Sequence, residues 1–270
     1  MCKKKRFGLA LLLILSVFLI SACSGNSSDS ADKDIGKHQI EYPKSYKTEE
    51  AGASSYDGAN DAENSPYFKK LDFYNMESKD SLTIIPKFKT YQQTTEYSCG
   101  PASVVMVLEH FGEYNKDTKD EMTIAGISGT SDTSGVGAAG LAAYFTSIGW
   151  NVESSQPGKA TFDSETATDD FKKWVLKNLK KGHPIMVGWL DWSGHWQVII
   201  GYDTMGTEDN FGDDVLIMAD AYDTTDHYQD GYFVVGAERF FYQWKLSLEP
   251  FIGAGHGDPQ PWVIAYPKKK

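Results

Sequence analysis

Apolar residues recur at α-helical spacing in three segments of the chain, and glycine follows near the end of each segment. The predicted helices cover residues 99–112, 140–148 and 168–181. In the first of these, Val104, Val105 and Leu108 share one face, which should pack on a core. The Gly-, Ser- and Thr-rich segment at 126–137 predicts a loop between the first two helices.

After Pro184 the pattern changes to short apolar runs with the length and composition of β-strands. The predicted strands cover residues 185–190, 196–202, 215–219, 232–235 and 262–266, and an earlier strand is predicted at 82–91. The aromatic run at 240–244 predicts a short helix that packs on this sheet. Helices followed by antiparallel strands are typical of an α+β domain, which here occupies residues 81–270.

The N-terminal residues have the pattern of an export signal. A basic run at 3–6 precedes an apolar run at 7–20, which is too short to span a membrane comfortably as a helix. Ile-Ser-Ala-Cys at 20–23 then resembles the bacterial lipobox, in which the cysteine becomes the lipidated N-terminus after cleavage. We therefore expect residues 1–22 to be a lipoprotein signal peptide and Cys23 to anchor the protein on the extracellular side of the cell membrane. A plain secretory signal that is cleaved nearby is the alternative.

The next segment, residues 23–80, is mostly polar and cannot form a core of its own. Its Ser- and Asp-rich beginning predicts a flexible tether, and about 40 residues of this kind would span about 35 Å. The stretch at 66–76 is more apolar than the rest of the segment and is expected to dock on the domain.

The charge of the chain argues against nucleic acid as a partner. The formal net charge is −11, and cleavage before Cys23 would remove four positive charges and leave −15. Such an acidic protein repels phosphate backbones and anionic lipid. The partners we expect are therefore a peptide or protein substrate and the membrane, which the protein would contact through its lipid anchor.

A cluster of acidic residues near the C-terminal strands predicts neither a metal site nor a cofactor. Its members are Asp213, Asp214, Asp220, Asp223, Asp226 and Asp230. Their spacing fits no calcium-binding loop, so a solvated acidic hairpin is the expected arrangement.

The cysteine content directs attention to Cys99. Cys2 would leave with the signal peptide and Cys23 would become a thioether, so one free thiol remains in an exported protein. At a helix N-terminus, unpaired N–H groups and the helix dipole favour the reactive thiolate. Taken alone, such a cysteine is more often a small buried hydrophobic residue in front of a core helix.

Residues on both sides of Cys99 suit a nucleophile. Gly100 has no side chain, so a substrate could pass close to the backbone, and Pro101 is tolerated in a first helical turn. Six residues before the cysteine, Gln93 could donate an amide N–H to an oxyanion alongside the Cys99 backbone N–H. By itself Gln93 is a weak signal, since most glutamines are solvated polar residues.

A thiolate nucleophile also needs a general base, and His195 is the best placed histidine. It stands beside Gly194 at the start of an apolar strand. His38 lies in the tether, and His110 is about 16 Å from Cys99 along the helix axis. The remaining histidines lie in predicted turns; they are His183, His227 and His256. A single histidine at a strand start is more often structural, so the assignment of His195 as the general base depends on the residues around it.

Together these residues resemble the papain-like cysteine peptidases, and most closely the family that trims double-glycine leaders from bacteriocins. The resemblance rests on Gln-(five residues)-Cys-Gly-Pro-Ala-Ser, on the strand motif Gly-His-Trp-x-Val-x-x-Gly-Tyr-Asp, and on a following apolar strand that ends in Asp. It covers roughly residues 84–244. It implies a papain-like fold with Cys99 as the nucleophile and His195 as the general base. It also implies that Asp220 orients the histidine and that Gln93 contributes to the oxyanion hole.

Two aspartates follow His195 and could orient it. Asp203 is eight residues further along the same strand, about 26 Å away and out of reach. In an antiparallel hairpin the numbers of two facing residues have a constant sum. If Asp203 faces Asp214, this sum is 417 for every facing pair. Asp220 then shares a face with His195 at a diagonal backbone distance of ~7–8 Å. A slip of one residue would expose the apolar face, so the parity of the register is better determined than its position.

These observations predict an extracellular, membrane-anchored cysteine peptidase that hydrolyses a peptide bond through a thioester. The same Cys-His-Asp set would also serve a cell-wall amidase or a transpeptidase, in which an amine takes the place of water. A peptide-binding lipoprotein with an inactive papain-like site is the non-enzymatic hypothesis.

Overall fold

The computed structural model describes residues 38–46, 52–53, 65–191, 193–224, 226–246 and 258–268. The predicted signal peptide and the predicted lipidation site, Cys23, lie outside the described residues. Within those ranges, no helix has both the length and the apolar character needed to cross a membrane.

Five α-helices and seven strands are present in the described part of the chain. The helices are α1 (Cys99–His110), α2 (Glu121–Ser128), α3 (Ala138–Ser147), α4 (Ala167–Leu179) and α5 (Ala237–Trp244). The strands are β1 (Leu82–Ile84), β2 (Asn151–Ser154), β3 (Ile185–Leu190), β4 (Gly194–Asp203), β5 (Val215–Asp220), β6 (Tyr232–Gly236) and β7 (Trp262–Tyr266). The predicted fold class, α+β with N-terminal helices packed on an antiparallel sheet, is confirmed.

The seven strands described form one antiparallel sheet in the order β2-β7-β3-β4-β5-β6, and β1 pairs with β4 outside this path. Helix α1 packs on β4, α3 packs on β2 and β7, and α4 and α5 both contact β3. The core between these layers contains fully buried side chains from helix and sheet alike, including Val104, Leu108, Phe171 and Val198. This packing fixes the N-terminus of α1 relative to the strands that follow it.

The hairpin formed by β4 and β5 has different registers at its two ends. At one end Gln197 faces Asp220, so the pairing follows the predicted sum of 417. At the other end Asp203 faces Val215, and the predicted pairing with Asp214 is wrong by one residue. The cause is a β-bulge in β4, which places one extra residue opposite β5. The predicted register therefore holds only on the Asp220 side of the bulge.

Three other local predictions differ from the structure. The first strand ends at Ile84 instead of continuing to residue 91. The predicted loop at 126–137 starts only after Ser128, because the Asp120 carboxylate caps α2 and Gly129 ends it in the left-handed conformation, with φ 71°. Strand β2 was not predicted, since its four residues are mostly polar and half-buried.

The segment that precedes the domain packs on it at residues 38–46. Ile40 is buried, and its N–H donates to the carbonyl of Thr90 at 2.8 Å. The Tyr42 hydroxyl donates to the carbonyl of Gln92 at 2.9 Å. This strap therefore lies along the loop that leads into α1.

The stretch that was predicted to dock, residues 66–76, is only partly in contact with the domain. Phe73 is buried, and its ring lies 5.8 Å from that of Tyr232. Tyr67, by contrast, is 82% exposed. The ring of Phe68 also lies 4.9 Å from that of His227, so the stretch contacts the domain both there and at the short 3-10 helix that carries Phe73.

Candidate active site

The N-terminus of α1 presents Cys99 beside backbone N–H groups. Cys99 is the first helical residue and is 8% exposed, and Pro101 follows in the first turn. Ser98 is the N-cap residue, but its side chain makes no capping hydrogen bond to the helix. As the first helical residue, Cys99 has a backbone N–H without an intrahelical acceptor, and this N–H is available to an anion.

The interpretation that Gly100 leaves room for a substrate is wrong. A Cβ atom built on Gly100 would lie 2.4 Å from Val136 Cγ1 and 3.3 Å from Leu141 Cδ2. The missing side chain instead allows α1 to approach the loop before α3 more closely than any other residue would permit.

His195 lies between the nucleophile and a carboxylate. The side chain is 3% exposed, and its Nε2 atom is 2.6 Å from Oδ1 of Asp220. The Cys99 side chain also forms a hydrogen bond with His195. Because Nε2 faces the aspartate, Nδ1 is the ring nitrogen that remains for the thiol. The structure thus brings Cys99, His195 and Asp220 into one chain of contacts.

The charge state of His195 is set by opposing effects. Burial lowers the pKa of the imidazole, since a buried cation loses its hydration. The Asp220 carboxylate, which is close and hydrogen-bonded, and the Cys99 side chain raise it. The favourable interactions prevail, so the pKa of His195 lies well above its ordinary value.

Asp220 is held by three donors. Oδ1 accepts the Tyr222 backbone N–H at 2.8 Å in addition to the histidine, and Oδ2 accepts Nε2 of Gln197 at 2.9 Å. The oxygen of the Gln197 amide in turn accepts the indole N–H of Trp189. Two of these donors, the Tyr222 N–H and the Gln197 amide, do not react, and they fix the orientation of the aspartate.

Gln197 is a site residue that the sequence interpretation missed. It follows His195 by two residues on the same strand, and residues two apart in a strand share a face. A polar residue at that position inside an apolar run was the signal available, because a buried amide must find partners.

Gln93 lies at the same end of β5 as the other predicted site residues. Its backbone N–H donates to the carbonyl of Ala221 at 2.9 Å, and its side chain is 1% exposed. The amide Nε2 donates to the carbonyl of Thr95 at 2.7 Å, while Oε1 has no hydrogen-bond partner among the described residues. Since a glutamine amide carries two N–H groups, one donor remains for another acceptor.

The expected solvated acidic hairpin is wrong, because most of its aspartates are buried. Four of the six are at most 6% exposed: Asp214, Asp220, Asp223 and Asp230. Asp223, for example, accepts the Gly231 N–H at 3.0 Å, and Asp214 forms an ion pair with Lys172. Within the described ranges, no group of three or more His, Cys, Asp or Glu residues is arranged to hold a metal ion.

A thiol at a helix N-terminus, joined through a histidine to an aspartate on an antiparallel sheet, is the arrangement that cysteine peptidases use. The family comparison is more specific. The model of the Peptidase_C39-like family matches residues 85–246, which is more than half of the chain. The chain therefore belongs to the Peptidase_C39-like family.

The other comparisons are more distant. No curated protein matches the sequence. Among solved structures, the chain is similar to the peptidase domain of Streptococcus ComA, a bifunctional ABC transporter involved in quorum sensing. The identity is 18% and the TM-score is 0.42, and the match covers 67% of this chain and 99% of that domain.

Proposed function

We propose that this protein is a cysteine peptidase, tethered by a lipid to the outer face of the cell membrane, that hydrolyses a peptide bond through a thioester. The observation that carries the catalytic part is the hydrogen-bonded chain from Cys99 through His195 to Asp220. The lipid anchor is supported by the sequence pattern that ends at Cys23.

In the first half of the reaction, the Cys99 thiol gives its proton to His195 and the sulfur attacks the scissile carbonyl carbon. The negative charge that forms on the carbonyl oxygen is stabilised by the Cys99 backbone N–H and the Gln93 amide. The C–N bond then breaks, and His195 returns the proton to the leaving amine. Asp220 stabilises the imidazolium during these steps and keeps the ring oriented.

In the second half, water replaces the amine. His195 takes a proton from the water as its oxygen attacks the thioester carbon. The C–S bond breaks, the sulfur regains the proton from His195, and the carboxylic acid product leaves. The enzyme is then restored without a cofactor.

The strap limits how far the peptidase could stand from the membrane. Residues 38–46 contact the domain, so 15 residue steps separate Cys23 from His38. Even a fully extended chain of this length spans at most about 50 Å. A substrate of the anchored protein would therefore be met close to the membrane surface.

The catalytic proposal is tested by profiling a peptide library with the wild type and with Cys99→Ala. Ser103→Ala is the matched control, since Ser103 is a buried small residue further along α1. We expect cleavage by the wild type and the control and none by Cys99→Ala. Cleavage by Cys99→Ala, or none by the wild type, would contradict the proposal. Products joined to an added amine would identify a transpeptidase instead.

The anchor is tested by labelling cells with radioactive palmitate. We expect Cys23→Ala to lose the label and to enter the medium. Cys2→Ala is the matched control, because it removes a cysteine from the signal peptide without changing the lipobox. A label that persists in Cys23→Ala would contradict lipidation at this residue.

A further inference from the structure

A buried carboxylate that takes no part in the proposed reaction lies under the loop in front of the nucleophile. Glu121 is the first residue of α2 and is 0% exposed. No cationic side chain of the described residues pairs with it. Burial raises the pKa of its carboxyl group, and hydrogen bonds from its neighbours oppose that shift only in part. A buried carboxyl group lowers the stability of the fold unless its hydrogen bonds compensate for the hydration that it loses.

Among the described residues, all four donors to Glu121 come from one short loop, residues 91–98. Oε1 accepts the backbone N–H of Thr94 at 2.9 Å and the hydroxyl of Ser98 at 2.5 Å. Oε2 accepts the hydroxyls of Tyr91 and Thr94 at 2.9 and 2.8 Å. One carboxylate thus fixes the beginning, the middle and the end of the loop.

This loop carries the oxyanion group and leads directly into the nucleophile. Gln93 lies between two of the residues that Glu121 holds, and Cys99 follows the third. Ser98 is the N-cap of α1, where a serine hydroxyl normally accepts an N–H of the first turn. Here the hydroxyl donates to Glu121 and accepts from the Thr95 hydroxyl at 2.6 Å, and it makes no capping hydrogen bond to the helix.

Glu121 is itself firmly held. The carboxylate of Asp120 accepts the N–H groups of Met122 and Thr123, each at 3.1 Å, and so caps α2. The Tyr46 hydroxyl, from the strap, hydrogen-bonds to Asp120 and accepts the Met122 N–H. The start of α2 is therefore a rigid support for the loop.

We propose that Glu121 is a positioning residue of the peptidase. Its carboxylate holds loop 91–98 in the conformation that presents the Gln93 amide and the Cys99 backbone N–H to the oxyanion. It acts through the loop and makes no contact with the substrate. The inference rests on the proposed function, since it assigns Glu121 to the oxyanion step of that reaction.

Two substitutions at this position separate geometry from charge. In Glu121→Gln, Oε1 can still accept from Thr94 and Ser98, and the amide N–H groups can donate to hydroxyls that also accept. We expect kcat within about fivefold of wild type. Glu121→Met removes every acceptor, and kcat should fall by about 10²–10³ with little change in KM. Alkylation of Cys99 by iodoacetamide needs no oxyanion hole and should stay within about threefold.

Asp214→Asn is the matched control, since Asp214 is a second buried acid, with its own ion pair, at the far end of β5. Hydrogen exchange should become faster at residues 91–98 in Glu121→Met, while Asp214→Asn should leave this loop protected. If Glu121→Met does not fold, Ser98→Ala removes one donor and should lower kcat about tenfold at unchanged alkylation rate.

Three results would overturn the inference in an active wild-type enzyme. The first is an unchanged kcat in Glu121→Met or in Ser98→Ala. The second is a loss of kcat that is equal in Glu121→Gln and Glu121→Met. The third is a loss of kcat in Asp214→Asn that equals the loss in Glu121→Met. A wild type that cleaves no peptide would instead overturn the proposed function, and the assignment of Glu121 to its oxyanion step with it.

Discussion

Strand β5 has a buried aspartate at each end, and only one of the two belongs to the site. Asp220 is 1% exposed and contacts His195, while Asp214, just before the strand, is 0% exposed and contacts Lys172 at 3.0 Å. Each also accepts a hydrogen bond from an uncharged side chain, Gln197 for Asp220 and the Tyr202 hydroxyl for Asp214. By burial the two carboxylates are nearly equivalent, although Asp220 also accepts the Tyr222 N–H and Oδ1 of Asp214 has no hydrogen-bond partner among the described residues.

The difference lies in what the partner of each aspartate can do. The imidazole of His195 can take up and release a proton, and its other side meets a thiol. Lys172 donates to the carbonyl of Glu208 at 2.9 Å and reaches no reactive group. A buried ion pair therefore does not identify a functional site, whereas a titratable partner that touches a nucleophile does.

The largest expected difference is in turnover. Asp220→Asn removes the charge that stabilises the imidazolium and should lower kcat by about 10²–10⁴. Asp214→Asn should leave kcat of the folded enzyme near wild type and lower the melting temperature. Rates on any cleaved peptide, with circular dichroism to confirm folding, measure both. Comparable loss of kcat in the two variants would remove the distinction between the two ends of the strand.

The next effect is on stability. Lys172→Met leaves the Asp214 carboxylate buried without its cation, and the free energy of unfolding should fall by about 3–5 kcal/mol. The matched control is Lys245→Met, because the ion pair of Lys245 with Asp163 is partly exposed, unlike the pair of Lys172 with Asp214. Lys245→Met should lower the free energy of unfolding by less than about 1 kcal/mol. Denaturant titration of both variants is the measurement. Equal losses would mean that burial does not determine how much these ion pairs contribute to the free energy of unfolding.

The pH dependence should also separate the two aspartates. Protonated His195 delivers the proton to the leaving amine, so kcat/KM should decline as pH rises through its pKa. That pKa is raised above the ordinary value near 6.5, chiefly by Asp220 acting against burial. Asp220→Asn should therefore move the alkaline decline to lower pH, and Asp214→Asn should not move it. An alkaline limb that stays in place in Asp220→Asn would contradict this account of the histidine.

The smallest expected effects concern the uncharged donors. Gln197→Met and Tyr202→Phe each remove one hydrogen bond to a buried carboxylate, worth about 1.5–3 kcal/mol. At Asp220 part of this loss should appear as a roughly tenfold lower kcat, because the orientation of the histidine depends on the aspartate. At Asp214 all of it should appear in the unfolding free energy. A tenfold lower kcat in Tyr202→Phe would contradict the assignment of Asp214 to the stability of the fold alone.

The sequence predicted the parts of the fold that depend on local patterns. The helix that begins at Cys99 and the apolar strands from Ile185 onward have strong periodicity, so their positions agree with the structure within a few residues. The sequence pattern does not reveal the bulge in β4, because an extra residue in an apolar run does not change the composition of the run. The hairpin register was therefore correct at Asp220 and wrong at Asp203.

The support of the site was harder to predict than its centre. Motif spacing pointed to Cys99 and His195, but Glu121 lies 22 residues after the cysteine, at the start of an unpredicted helix. Its partners become visible only when tertiary structure brings α2 under the loop. The aspartates were expected in solvent for the same reason, since sequence alone does not show that Lys172 or backbone N–H groups reach them.

The central claim is that Cys99 forms a thioester with the substrate, and trapping that intermediate tests it most directly. The measurement is mass spectrometry of enzyme quenched with acid during turnover of a cleaved peptide or its ester. We predict that the mass of the acyl half of the substrate is added to the segment that contains Cys99, and that the addition disappears as substrate is exhausted. Product formation without any acyl group on Cys99, or with the acyl group on another residue, would contradict the mechanism.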